Sequence, residues 1–282
     1  MPLTRTRLFR VRHYECDVEG RLRAANYVRY MQEAAFDASA AAGYDLARYE
    51  AMGYFWLIRE TEIEYLQPVR YGDQIEVKTW VADFRRVRSR RAYEFRPAGG
   101  GPLVAVAQTD WAFLEMATGR PAAIPEEMKA AFFPEGAPDR AEARGRFPVP
   151  ADPPPGAFQQ RRPVEWRDLD AAGHVNNAVY VDYVEQCGLD WAQAQGLSLV
   201  VPAVARSHRI GYRQPAVLGE ELVLSTWAAA VRQETLVRDT TVHRTSDGSL
   251  VARARSEQVW VGSETGERVP VTGDLADGMH DS

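Results

Sequence analysis

The stretch of residues 168–180, DLDAAGHVNNAVY, holds the side chains best suited to attack on a carbonyl carbon. It contains two carboxylates, an imidazole and two amides, and a helical pattern follows at once. The free N–H groups at the start of a helix favour negative charge. A carboxylate beside them can act as a base or a nucleophile, while the N–H groups stabilise an oxyanion. The alternative for a carboxylate here is helix capping, which is the expected role of Asp168.

The spacing within this stretch matches a family motif. The pattern Asp-x-Asp-x-x-Gly-His-Val-Asn-Asn-Ala-x-Tyr resembles the start of the central helix in hotdog-fold acyl thioesterases, the superfamily of 4-hydroxybenzoyl-CoA thioesterase and the acyl-ACP thioesterases. The resemblance implies an enzyme that hydrolyses a thioester and releases a fatty or aromatic acid. Its expected substrates are acyl-CoA or an acyl carrier protein, with Gly173 and Tyr180 among the substrate-binding positions. No cofactor and no metal is expected.

Asp170 is the candidate general base or nucleophile. The resemblance aligns it with the catalytic aspartate of the 4-hydroxybenzoyl-CoA type, and the nearby helix N-terminus offers N–H groups to the substrate carbonyl. His174 could orient the thioester, share the proton or bind the pantetheine, although a single histidine is as often structural. Asn176 and Asn177 could hold a water, and capping alone would explain one of them.

Two positions depart from the plant acyl-ACP thioesterases. That family is thought to use an aspartate, an asparagine and a histidine in this stretch, and a glutamate on a later strand. By alignment the asparagine falls on Ala172, and the glutamate falls on or beside Pro215. Only Asp170 and His174 carry over, so the resemblance does not imply the plant mechanism, and the carrier stays open between CoA and a protein.

The same stretch recurs in a weaker form near the start of the chain. An offset of 153 residues places Asp170 on Asp17 without a gap, and an offset of 147 aligns the later strands. The first offset also matches Gly173 with Gly20, Tyr180 with Tyr27, Val181 with Val28, Tyr183 with Tyr30, Asp190 with Asp37 and Gly196 with Gly43. The chain is therefore predicted to be two copies of one unit.

The copies differ where chemistry is expected. Residues 173–177, GHVNN, correspond to residues 20–24, GRLRA, in the first copy. Asp17 is retained without the imidazole and the amides, which makes it the weaker catalytic candidate, with a turn role as the alternative. Arg21 and Arg23 are candidate partners for the phosphates of a substrate.

The arginine-rich segment of residues 85–91, RRVRSRR, is a second phosphate-binding candidate. Coenzyme A carries phosphates and an acyl carrier protein is acidic, so Arg88 and Arg90 are expected substrate-binding residues. A solvated hairpin tip explains the same sequence equally well.

Each copy reads as a short strand, one long helix and a run of antiparallel strands. The helices are predicted over residues 26–42 and 178–195, one in each half. Strands are predicted over residues 8–15, 55–65, 74–84, 88–96 and 104–114, and again over 158–167, 203–212, 221–232, 234–245 and 251–261. A sheet that buries one face on a helix is an α+β layout. The resemblance specifies two tandem hotdog domains, each an antiparallel sheet wrapped around a central helix, forming a pseudo-dimer.

The expected domains cover residues 1–125 and 156–272. Nine of the 17 prolines fall between Pro121 and Pro155, so residues 126–155 are predicted to form an extended linker. The tail of residues 273–282 has no periodicity and is expected to be frayed.

Composition narrows the function classes. The chain has 282 residues, is 45% hydrophobic and 26% charged, and carries a net charge of −5, which is ordinary for a globular protein and unlike a nucleic-acid binder. No apolar run approaches membrane-spanning length and no signal peptide is recognised, so a cytoplasmic protein without membrane contact is predicted. Cys16 and Cys187 suggest neither zinc nor a disulfide framework. A homo-oligomer of the pseudo-dimer is left open.

Two other functions compete with thioester hydrolysis. A hotdog dehydratase or hydratase would need an Asp/His pair to deprotonate carbon, and Asp170 with His174 formally supplies one. The Gly-His-Val-Asn-Asn context resembles the thioesterases and not the hydratases. A non-catalytic protein that binds acyl thioesters is the third interpretation, because the first copy has lost most of the motif.

Overall fold

The computed structural model describes residues 1–136, 152–196, 203–232 and 234–260. The chain divides into two compact units, Met1–Arg146 and Phe147–Ser282. Within the described ranges, no helix combines the length and the apolar composition that crossing a bilayer requires.

Up to residue 136, the first unit consists of five strands and three α-helices. In chain order they are β1 (Thr4–Arg10), α1 (Ala24–Ala41), α2 (Leu46–Met52), β2 (Tyr54–Tyr65), β3 (Gln74–Phe84), β4 (Arg88–Pro97), β5 (Ala105–Glu115) and α3 (Glu126–Phe132). The strands form an antiparallel sheet in the order β1-β3-β4-β5-β2.

The second unit repeats this plan within its described residues. Its elements are β6 (Phe158–Pro163), α4 (Asn177–Ala194), β7 (Ala203–Tyr212), β8 (Glu221–Arg232), β9 (Thr235–Arg244) and β10 (Leu250–Trp260). They form an antiparallel sheet in the order β6-β8-β9-β10-β7, which is the order of the first unit. The predicted α+β fold of tandem hotdog units is confirmed.

The central helices owe their place to one apolar face. In α1 the predicted face of Tyr27, Met31, Ala34, Ala35 and Ala38 is buried, and so is the matching face of α4. Burying such a stripe against a sheet is the main stabilising contribution to a helix of this kind. Both helices begin one or two residues before their predicted starts.

The first unit contains two short helices that the sequence analysis did not predict. Helix α2 is capped by the Asp45 carboxylate, which accepts a hydrogen bond of 2.8 Å from the Arg48 N–H, and it ends at Gly53 with φ of 75°. Helices of one to two turns show little periodicity, so the expectation of one helix per half was wrong for this unit.

Helix α3 lies at the start of the predicted linker. Its Met128 and Phe132 are buried in an aromatic cluster of the first unit. The Phe132 carbonyl accepts a hydrogen bond of 2.8 Å from the Leu3 N–H. The aromatic members of the cluster are Tyr44, Tyr49, Phe113, Phe132 and Phe133. The expectation of extended chain is therefore wrong for residues 126–132, because their apolar side chains pack into the unit. Residues 137–151 and the tail of residues 273–282 lie outside the described residues.

The first strand of each unit ends earlier than predicted, and β1 also begins earlier, at Thr4 instead of residue 8. Strands β1 and β6 are followed by 3-10 turns at His13–Glu15 and Trp166–Asp168. Each turn is held by an acidic side chain that accepts a hydrogen bond of 2.8 Å from the N–H three residues earlier. This local bond competes with the sheet and ends the extended segment.

A row of buried polar residues crosses the middle of each sheet. In the second unit, Ser256 on β10 pairs with His208 on β7 and with Arg238 on β9. The equivalent row of the first unit is Thr61, Thr109 and Arg91. The Arg238 guanidinium donates 3.1 Å to the Val184 carbonyl of α4 and lies against Gly188. Burial lowers the pKa of Arg91 and of Arg238.

Candidate active site

The motif stretch forms a loop between the 3-10 turn and α4. The loop closes on itself, because Leu169 pairs with Val175 and the Asp170 N–H donates 2.9 Å to the His174 carbonyl. Gly173 turns the chain with φ of 78°, and its N–H donates 2.9 Å to the Asp170 carbonyl. Only glycine takes up this left-handed conformation without strain, so Gly173 shapes the loop.

Asp170 stands exposed at the start of this loop. Its Oδ1 accepts a hydrogen bond of 2.9 Å from the Ala172 N–H, a short turn of the type that carboxylates favour. Across the described part of the chain, Oδ2 accepts no hydrogen bond. The carboxylate is thus fixed by one oxygen and open to a ligand through the other.

His174 lies half-buried beside a second segment, residues 214–220. Its backbone forms a bridge with Val217, and the Val175 N–H donates 2.9 Å to the Ala216 carbonyl. These bonds fix the backbone beneath the imidazole. No hydrogen bond joins the imidazole to the residues that the structure describes, which leaves both ring nitrogens available.

The two asparagines take different places at the start of α4. Asn176 is the N-cap, and its Oδ1 accepts a hydrogen bond of 2.9 Å from the Ala178 N–H. Asn177 is the first helical residue, with a half-buried side chain and a carbonyl that accepts 3.1 Å from the Tyr212 hydroxyl. The capping role that the sequence allowed for one asparagine therefore falls to Asn176.

Tyr180 lies inside the unit. It is 3% exposed, and its ring makes an edge contact with Tyr212 at a centroid distance of 5.5 Å. Burial raises the pKa of its phenol. These contacts place Tyr180 in the packing between α4 and β7.

The loop of the first unit has the same backbone but a different electrostatic state. Asp17 Oδ1 accepts 2.9 Å from the Glu19 and Arg21 N–H groups, and Oδ2 accepts 3.1 Å from Arg21 Nε. Arg23 stands at the N-cap without a capping side-chain bond and donates 2.8 Å to the Tyr14 carbonyl. Both oxygens of Asp17 are occupied, and its charge is compensated by Arg21.

The arginine-rich segment divides between two environments. Arg88 is exposed at the start of β4, whereas Arg90 is 7% exposed and donates to both oxygens of Asp110, each at 3.0 Å. Arg91 is buried over the Phe132 ring at 5.7 Å. The buried pair with Asp110, which lies on the neighbouring strand, argues against the predicted contact of Arg90 with a phosphate. The sequence alone does not reveal this pair.

Asp168 accepts more hydrogen bonds than its predicted capping role requires. It is 6% exposed, and its Oδ2 accepts 2.8 Å from the Glu165 N–H and 2.6 Å from the Tyr183 hydroxyl. Its carbonyl accepts 2.9 Å from the Asn176 N–H. The available sequence signal was the repeat itself, which places an acidic residue, Glu15, at the matching position.

Among the residues with described positions, no group of three or more histidine, cysteine or acidic side chains is arranged to hold a metal ion. Asp170 and His174 lie in the loop, and Asn177 is the first residue of the helix that follows it.

Solved structures share this fold over nearly the whole chain. A protein from Lactobacillus plantarum assigned as an oleoyl thioesterase covers 93% of this chain and 98% of its own, with a TM-score of 0.82 and 17% identity. The 12:0-ACP thioesterase from Umbellularia californica covers 92% of this chain and 98% of its own, with a TM-score of 0.76 and 21% identity.

Sequence comparison points the same way. The chloroplastic acyl-(acyl-carrier-protein) hydrolase of Cuphea viscosissima is 23% identical over 185 residues, which cover 62% of this chain and 45% of that protein. This chain thus spans less than half the length of that relative. The Thioesterase-like superfamily matches residues 11–132 and 164–278, segments that contain both loops. The chain belongs to the Thioesterase-like superfamily.

Proposed function

We propose that the protein hydrolyses acyl thioesters at the loop of residues 169–175, with Asp170 as the catalytic carboxylate. One observation carries the proposal: the exposed Asp170 keeps an open oxygen beside the start of α4, whereas Asp17 in the matching loop is bound on both oxygens. Membership of the superfamily supports the reaction type, and the open carboxylate supports the choice of unit.

In the favoured route Asp170 acts as a general base. Its carboxylate takes a proton from water while the water oxygen forms a bond to the thioester carbon, and the carbonyl electron pair moves onto oxygen. Collapse of this intermediate breaks the C–S bond, and the thiolate leaves and takes up the proton. The free acid and the thiol are the products.

The start of α4 offers a donor for the oxyanion. The Ala178 and Val179 N–H groups both donate to Asn176, so within the described first turn the Asn177 N–H is the group left to face a substrate. An N–H at a helix start carries partial positive charge and suits an oxyanion. The His174 imidazole is assigned to orienting the thioester beside it.

A nucleophilic route uses the same carboxylate. The Asp170 carboxylate would then attack the thioester carbon and displace the thiolate, which gives a mixed anhydride, and water would hydrolyse the anhydride to release the acid and restore the carboxylate. Label found in the protein after a single turnover in water labelled with heavy oxygen would establish the nucleophilic route, because it requires attack of water on the Asp170 carboxyl of the anhydride. With Asp170 as base, the label enters only the released acid.

The acyl group is assigned to the fatty or aromatic class and the carrier to CoA or an acyl carrier protein. Names of relatives favour a carrier protein, whereas Ala172 and Pro215 differ from the plant residues. Parallel kinetics with the same acyl group on each carrier decide the point through the ratio of kcat/KM values.

The reaction itself is tested with a panel of acyl-CoAs and a thiol-trapping dye. Release of thiol at a catalytic rate supports the proposal. A change in enoyl absorbance without thiol would assign the protein to the hydratases, and saturable binding without either signal would make it a binding protein.

A further inference from the structure

The candidate loop is fastened to α4 at both of its ends. At one end the Asp168 carboxylate accepts a hydrogen bond of 2.6 Å from the hydroxyl of Tyr183, which lies in the second turn of α4. At the other end the Asn176 N–H donates 2.9 Å to the Asp168 carbonyl. One residue therefore holds both the approach to the loop and the N-cap that follows it.

Tyr183 also contacts the strand that precedes the loop. The Arg162 guanidinium of β6 lies over the Tyr183 ring at 4.3 Å. Burial raises the pKa of Tyr183, and so does its bond to Asp168, which keeps the phenol protonated as a donor. The Asp168–Tyr183 bond is thus buried, short and charge-assisted, the strongest class of side-chain hydrogen bond.

The first unit contains the same arrangement with a different acid. Glu15 Oε2 accepts 2.6 Å from the Tyr30 hydroxyl and 2.8 Å from the Arg12 N–H, and the Glu15 carbonyl accepts 3.1 Å from the Arg23 N–H. A glutamate therefore closes this contact as well as an aspartate does. The first unit retains it around a loop that has lost the imidazole and both amides.

We propose that Asp168 and Tyr183 are positioning residues for the reaction at the second loop, an inference that rests on the proposed function. Catalytic groups on a loop need support from outside it, and a displacement of 1 Å can cost about 10²-fold in rate. The bonds within the loop of residues 169–175 fix its shape, whereas Asp168 fixes its place on α4, and with it the distance from Asp170 to the Asn177 N–H.

The test compares Tyr183→Phe with Tyr30→Phe. Each change removes one hydroxyl from an equivalent buried contact, so the two variants should lose similar thermal stability. Only Tyr183→Phe is expected to lower kcat, by about tenfold or more, at an unchanged KM for acyl-CoA. A purely structural role predicts the same kcat for both variants. Parent kcat in Tyr183→Phe, or an equal fall in both variants, would overturn the proposal.

A second pair of variants keeps the test valid if the hydroxyl deletion unfolds the protein. Asp168→Ala removes the contact, whereas Asp168→Glu installs the acid that the first unit uses. Recovery of most of the parent kcat in Asp168→Glu but not in Asp168→Ala is expected. Equal kcat in these two variants contradicts the proposal.

The proposed function and the positioning role are tested by different variants, so that each can be contradicted without the other. If Asp170→Asn hydrolyses acyl-CoA like the parent, the assignment of the catalytic carboxylate is wrong, whatever the tyrosine variants do. If Asp170→Asn is inactive while Tyr183→Phe matches the parent, the active loop stands and the positioning role does not.

Discussion

The two loops at the starts of α1 and α4 share a backbone and differ in charge. Around Asp17 the carboxylate is paired with Arg21, and around Asp170 it is open. The support beneath both loops has been kept, since Glu15 with Tyr30 and Asp168 with Tyr183 form bonds of equal length. A duplicated unit can therefore lose its reactive side chains while the residues that shape the loop remain, because those residues also stabilise the fold.

The largest effect expected from this comparison is on turnover. Asp170→Asn should lower kcat by about 10²-fold or more, since a general base contributes on that scale, with little change in Tm because Asp170 is exposed. Asp17→Asn should retain most of the activity. Steady-state kinetics on one acyl-CoA with thermal melts of both variants check this.

Equal losses of kcat in the two variants would contradict the proposed difference between the loops, because both carboxylates would then contribute to catalysis. An Asp170→Asn variant that hydrolyses like the parent would reduce its carboxylate to a turn residue.

A second effect concerns the buried arginines of the two sheets. A Cβ on Gly188 would overlap the Arg238 guanidinium, whereas the matching residue of α1 is Ala35, and Arg91 lies over Phe132 instead. Gly188→Ala is therefore expected to destabilise by about 1–3 kcal/mol through overpacking, measured by denaturant unfolding.

The matched control for that helix position is Ala35→Gly. It should cost about 1 kcal/mol from helix propensity and about as much again from the loss of a buried methyl group. A Gly188→Ala protein that is more stable than the parent would show that the Arg238 side chain can adopt another conformation that avoids the new methyl group.

A third effect is dependence on pH. Burial, reinforced by Arg238, lowers the pKa of His208 from 6.5 to about 3. Below pH 6.5 the unfolded chain binds a proton that the folded histidine refuses, so stability should fall as pH drops towards 3. The slope from this residue is at most about 1.4 kcal/mol per pH unit.

The first unit suggests the control, since the matching position is the buried Thr61. His208→Thr should flatten the profile of unfolding free energy between pH 6.5 and 4, by about the same slope. An unchanged profile would mean that His208 does not titrate on unfolding in this range.

The smallest effect expected is at the helix caps. Asn176→Ala removes the bond to the Ala178 N–H and should cost about 1 kcal/mol. Arg23→Asn adds a capping side chain to α1, which has none, and should stabilise by up to the same amount. Equal and opposite shifts in Tm would show that a capping side chain contributes the same stability at both helix starts.

Features that rest on a regular period could be predicted from the sequence. The buried faces of α1 and α4 follow from residues such as Tyr27 and Met31, and the position of Asp170 at a turn before a helix follows from the motif. Gly173 was predicted as a substrate-binding position, and its turn role became visible only from its positive φ.

Features that depend on cross-strand register or on contacts between elements could not be predicted from the sequence. The pair of Arg90 with Asp110 joins neighbouring strands, and a sequence gives the strands without their alignment. Helices α2 and α3 are too short to show a period. The repeat places an acidic residue, Glu15 or Asp168, ahead of each loop, but it does not show that the Asp168 carboxylate meets the Tyr183 hydroxyl.

The hydrogen bond from Leu3 to Phe132 in the first unit has a consequence for biosynthesis. It joins residues near the two ends of the unit, so closure of that unit has to wait until α3 has left the ribosome. Domains generally fold in order as the chain emerges, the N-terminal one first. Until Phe132 arrives, the aromatic cluster that it completes is an exposed surface, and a nascent chain stalled before residue 126 should therefore bind chaperones more strongly than one stalled after residue 136.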